Sequence, residues 1–105
     1  MTTFHEREEG FEKKFALDEE QKFRAEARRN RLLGLWAAEK LGITGDAAAA
    51  YAREVVAAEF EEAGGVPGKI MADFAAKTVA LTEQAIRAKM NELAAVAAAE
   101  VKAGK

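Results

Sequence analysis

The sequence predicts an all-α fold, a four-helix bundle preceded by a short segment of different character, and three observations carry that prediction. β-branched residues are scarce: three Ile, six Val and five Thr stand against 25 Ala, a balance that favours helix over sheet. Apolar residues recur at steps of three and four along most of the chain after Asp18, the spacing that collects them on one side of a helix. Gly42, the pair Gly64 and Gly65, and the single proline Pro67 interrupt that pattern, so it divides into several helices rather than one. A chain of 105 residues makes one domain. Residues 1–17 read as a mobile N-terminal segment and residues 18–105 as the bundle.

The first helix runs from about Asp18 to Gly42 and is predicted to lie at the centre. Asp18, Glu19 and Glu20 place acids where the helix dipole favours them. Phe23, Ala27, Asn30, Gly34, Ala37 and Leu41 form one seam, and most of them are small. A glycine within a helix costs about 1 kcal/mol relative to alanine, so Gly34 needs a reason, and close approach of a neighbouring helix supplies one. Leu32, Leu35 and Trp36 form a second apolar face, and a helix with two such faces sits between partners. Trp36, the only tryptophan, is expected to be largely buried. Asn30 is expected to be satisfied by a hydrogen bond to another helix.

The second helix spans about Gly45 to Ala63, with Thr44 placed to cap it and Asp46 in its first turn. Tyr51, Val55, Val56 and Phe60 are assigned to its apolar side. Glu59 falls inside that arc and needs a basic partner, which the arginines of the first helix can provide. Gly64 and Gly65 end this helix and Pro67 prevents early resumption, so helix is expected again only from Gly68. Within that remainder the apolar phase shifts. Ile70, Phe74 and Leu81 share one face, and Ile86, Met90, Leu93, Ala97 and Val101 share another. The two differ by about 150 to 200°, too far for one straight helix on one core. A break near Thr82, with that residue as N-cap, makes a third and a fourth helix.

Met1 to Leu17 is charged, carries Gly10, and has Phe4, Phe11 and Phe15 at steps of seven and four. Those steps put the three rings on one face if the segment is helical. So short a segment cannot order itself. Two readings are open, a frayed terminus or a segment that folds when its stripe enters a groove on another protein. Three large rings at matched spacing favour the second.

Composition narrows the function. The formal charge of -2 gives no general attraction to nucleic acid, and there is no apolar run of membrane-spanning length. Without cysteine, thiolate metal sites and disulfides are excluded, and a reducing, cytoplasmic location fits. There is no Ser and only one His, His5, so a Ser or Cys triad is impossible and no enzyme is expected. Neither cofactor nor metal is implied. Acidic runs such as Glu61-Glu62 read as solvated faces, because adjacent helical residues do not face one another. Arg24, Arg28, Arg29 and Arg31 could hold phosphate, as in weak binding of ADP or ATP. Local pairing, Glu20 with Arg24 for example, favours an ion-paired face instead.

The chain resembles the zeta subunit of the alphaproteobacterial F-type ATP synthase, an inhibitor protein. The resemblance rests on M-T-T-F, then E-R-E-E-G-F-E-K-K-F-A at Glu6–Ala16, and F-R-A-E-A-R-R-N-R-L-L-G-L-W-A-A-E-K-L-G at Phe23–Gly42. Y-A-R-E-V-V at Tyr51–Val56 and A-I-R-A-K-M at Ala85–Met90 extend it. Departures are His5 and Leu17, where Asp and His are expected, and a shortened glycine-rich loop at Gly64–Gly68. The resemblance implies an N-terminal segment that becomes helical at an interface of alpha and beta subunits, reaches the central stalk and blocks rotation in the hydrolytic direction. Phe4, Arg7, Phe11, Lys14 and Phe15 are the inhibitory contacts it implies. It also implies a cytoplasmic protein, held at the inner membrane only through the synthase. The alternative is a nucleotide-sensing or scaffold bundle using the Arg24, Arg28 and Arg31 face.

Overall fold

A computed structural model describes residues 16–61 and 63–105. Four helices and no strand occur among them: α1 (Glu19–Leu41), α2 (Gly45–Glu61), α3 (Gly65–Ala76) and α4 (Glu83–Lys102). The expectations for the N-terminal segment, Ala16 and Leu17 apart, lie outside the described residues.

α1 starts where its acids predicted. Asp18 is in extended conformation and accepts from the Gln21 backbone N–H at 2.7 Å, while its own N–H donates to Gln21 Oε1 at 3.1 Å. This reciprocal box satisfies two of the donors that a helix start leaves free. Gly42, at φ 77°, closes the other end in the left-handed region that a residue with a Cβ enters only at a cost. The Ile43 N–H then returns to the Ala38 carbonyl at 2.8 Å.

α1 is the central helix. It packs along α2 on one side and α4 on the other, and among the described residues α2 and α4 make no close approach. Gly34 is where α1 and α2 come nearest. A Cβ built there would lie 2.7 Å from the Ala52 Cα and 3.1 Å from the Val55 Cβ, so any side chain at this position collides with backbone. Leu33, Ala37, Ala38, Tyr51, Val55, Val66, Ile70, Phe74 and Ile86 form the buried core, to which all four helices contribute.

The structure corrects five expectations. Phe23, on the predicted seam, is 68% exposed, and Ala27 is exposed as well. The seam is real, but α1 has 23 residues and α2 only 17, so its N-terminal turns run past the end of their partner. Phe60 is 81% exposed rather than part of the apolar side, because Tyr51, Ala52, Val55 and Ala58 already fill the arc facing α1 and α3. Trp36 is only partly buried. Its ring meets Phe74 edge-on at 6.1 Å, and Lys40 and Lys89 stand over it at 6.0 Å each. The third helix begins at Gly65, before the proline, since a first-turn residue has no intrahelical use for its N–H and Pro67 loses nothing there. Asn30, fully buried, finds no partner on another helix. Its Oδ1 accepts from Nε and Nη2 of adjacent Arg29 at 3.0 and 2.8 Å, and its Nδ2 has no hydrogen-bond partner.

The phase break near Thr82 is present. α3 ends at Ala76, Thr78 adopts φ 59°, and an irregular linker carries the chain to Thr82. Thr82 Oγ1 accepts from the Ala85 N–H at 3.1 Å and caps α4. Val79 and Leu81 in that linker still pack against the core.

Candidate functional site

The end of the bundle that meets residue 16 is built by three helix termini. α1 is antiparallel to α2, since Gly34 meets Ala52 and Arg29 meets Glu59. It is also antiparallel to α4, since Arg28 meets Glu100 and Trp36 meets Lys89. The start of α1 therefore shares one end with the last turns of α2 and α4. There the Lys102 Nζ donates to the Ala16 carbonyl at 2.9 Å. Leu17 is half-buried beside a shallow recess that it lines with Lys22, Ala25, Glu26, Arg29 and Ala94. These contacts hold Ala16 and Leu17 at that end of the bundle. Phe4, Arg7, Phe11, Lys14 and Phe15 lie outside the described residues.

The four arginines do not converge. Arg24 pairs loosely with Glu20 at 3.6 Å on an exposed face. Arg28 turns toward α4, where it meets Glu100 at 3.3 Å and donates to the Lys105 main-chain oxygen. Arg29 turns toward α2 and bridges Glu59 at 3.3 Å, with Glu26 at 4.0 Å. Arg31 is exposed and has no ion pair among the described residues. Arg28 and Arg29 thus act as ties from the central helix to its two neighbours. The partner anticipated for Glu59 is Arg29.

Glu26, Arg29, Asn30 and Glu59 form one partly buried polar group on the α1–α2 interface. Burial pushes the Glu59 carboxyl above its ordinary value, and the neighbouring Glu26 carboxylate pushes the same way, against the charge of Arg29. One positive charge is shared between two carboxylates, so the group holds a proton on Glu59 more readily than water would. This cluster was only half visible in the sequence. Glu59 inside an apolar arc was the signal, but its nearness to Glu26 depends on how the two helices are set against each other.

A second polar group joins α2 to α3. Tyr51 donates its hydroxyl proton to Asp73 at 2.7 Å, and Lys69 reaches Asp73 at 3.1 Å and Glu54 at 3.4 Å. Burial and the Asp73 hydrogen bond raise the Tyr51 phenol well above the normal range. Burial works against the Lys69 charge, but Asp73 and Glu54 outweigh it and its ammonium is held more firmly than usual. A fixed tyrosine–carboxylate–lysine set of this kind aligns two helices and leaves no free nucleophile or base. Among the described residues no three His, Cys, Asp or Glu side chains gather to hold a metal, and no helix is long and apolar enough to cross a membrane.

The chain matches the model of the family described as ATPase inhibitor subunit zeta over residues 1–100. It is also similar to a chain solved by solution NMR, with 50% identity and a TM-score of 0.68, the match covering 80% of this chain and 98% of the other. No curated protein matches it.

Proposed function

The chain belongs to the ATPase inhibitor subunit zeta family, and from that premise we propose that it inhibits ATP hydrolysis by an F-type ATP synthase through its N-terminal segment, residues 1–17. The segment becomes helical in a groove between an alpha and a beta subunit, reaches the central stalk, and stops rotation in the hydrolytic direction. Phe4, Phe11 and Phe15 fill apolar pockets, and Arg7 and Lys14 pair with acids beside them. The bundle remains outside the groove, and the protein is held at the inner membrane only through the synthase. The observation that carries this reading is that the family match begins at residue 1 and so includes the whole aromatic stripe.

Large aromatic anchors in desolvated pockets commonly cost about 2 kcal/mol or more each when truncated, more than tenfold in affinity. Titration of ATP hydrolysis by the host F-type ATPase is the test. The pair Phe11→Ala and Phe15→Ala should largely abolish inhibition, and the same pair changed to Leu should keep part of it. Equal inhibition by parent and Ala variant would sink the proposal. The nucleotide-sensing alternative draws no support from the geometry, because Arg28 and Arg29 are committed to α4 and α2.

A further inference from the structure

Two of the exposed large hydrophobic residues, Phe23 and Phe60, lie at the same end of the bundle, and helix geometry puts them on one surface. On α1, at 100° per residue, Phe23, Ala27, Arg31 and Arg24 span an arc of about 100°. Gly34 falls within this arc, so Phe23 and Ala27 continue the α2-facing stripe beyond the end of α2, and Arg31 and Arg24 turn away from it on the side opposite buried Leu33. On α2, Val56 and Phe60 border the α1-facing residues Ala52 and Val55 on the side away from Tyr51 and Ala58. Because the helices are antiparallel, both arcs open onto the same face of the pair, opposite α3. The pairing of Arg29 with Glu59 sets Phe60 level with about residue 28. Phe23 is therefore only about 8 Å further along the axis.

We propose that Phe23, Ala27 and Phe60, rimmed by Arg24 and Arg31, form a second docking patch for the protein that receives residues 1–15. This rests on the proposed function and specifies which part of the bundle the enzyme touches. The occupant is the lip of the receiving groove, an apolar surface bearing carboxylates. Two observations select it. The 15 residues outside the structure join the bundle at the end that carries the patch. A groove that swallows them must bring its lip against that end. The rim is cationic: Arg31 has no ion pair among the described residues and Arg24 has only the long one to Glu20. Arginine beside aromatic rings is the composition of interface anchors.

Ala16 is held by Lys102 of α4, and Leu17 lies beside Lys22, Ala25 and Arg29. Those α1 residues face about 160° away from the patch, so Leu17 sits on the opposite side of the helix from it.

The test is inhibition of the host F-type ATPase by the full chain carrying Phe23→Ala and Phe60→Ala, beside the parent and the Phe11→Ala/Phe15→Ala variant. The expected result is half-inhibition at a tenfold or higher concentration, complete inhibition still reached at saturation, and an unchanged unfolding midpoint. A half-inhibitory concentration equal to the parent's overturns the patch and leaves the N-terminal mechanism standing if the Phe11/Phe15 variant is inactive. If that variant inhibits as the parent does, the N-terminal mechanism itself falls, and this inference with it. Stronger inhibition by Phe23→Ala/Phe60→Ala would mean the segment folds back on the patch, and loss of a parental dimer would mean a second copy covers it. Either result overturns the proposal.

Discussion

At Gly34 the structure tolerates no side chain, because a Cβ there would lie only 2.7 Å from the Ala52 Cα. Gly34→Leu is therefore expected to lower unfolding free energy by about 1–3 kcal/mol or more, measured by urea denaturation. An unchanged midpoint would mean that α1 and α2 do not meet there. Glu59 makes a different kind of prediction. A carboxyl raised above its unfolded value binds its proton more tightly when folded. Its contribution to stability is full below the ordinary carboxylate range and is lost as pH rises through the elevated value. Glu59→Gln removes that titration and keeps an oxygen for Arg29. The stability of the parent minus that of the variant should fall as pH rises across this window. A difference independent of pH would show that Glu26 and Glu59 do not share a proton in solution.

Among the elements, the joint between α3 and α4 depends most on one side chain. The phase of Ile70 and Phe74 against that of Ile86, Ala97 and Val101 demanded a break, and Thr82 caps the helix that follows it. Thr82→Ala should cost about 1 kcal/mol with little change in the denaturant m-value, since the same surface remains buried. A cost near zero would show that packing of Ile86 alone sets the start of α4. The joint was legible because apolar phase is a local property of sequence. The extent of α3 was not, because its start depends on a proline placed in the first turn and its end on Thr78 entering the left-handed region.

At the scale of the molecule, a central helix tied by Arg28 to α4 and by Arg29 to α2 gives a bundle whose described core is drawn from all four helices, and residues 1–15 are expected to add little to its stability. Deleting those 15 residues should shift the unfolding midpoint by no more than about 2 °C, a stability change of well under 1 kcal/mol for a chain of this size, and should abolish inhibition of ATP hydrolysis. Removing Ala16 and Leu17 as well should cost more, because Leu17 packs beside Ala25 and the Ala16 carbonyl holds Lys102. Equal midpoints for the two truncations would mean that Ala16 and Leu17 add nothing to the stability of the bundle.

The sequence by itself determined the helical class, the central position of α1 and its start near Asp18, the close contact at Gly34, the N-cap at Thr82, and the need of Glu59 for a basic partner. Each follows from helix periodicity, from backbone chemistry or from the cost of burying a charge. Periodicity also marks which side of a helix is apolar. It does not say how far a partner extends along that side. Only the tertiary structure decided that α2 stops short of Phe23, that Phe60 faces outward, and that Arg28 and Arg29, neighbours in the chain, belong to different interfaces. A helix turns 100° per residue, so adjacent side chains diverge, and their partners are chosen by where the other helices end.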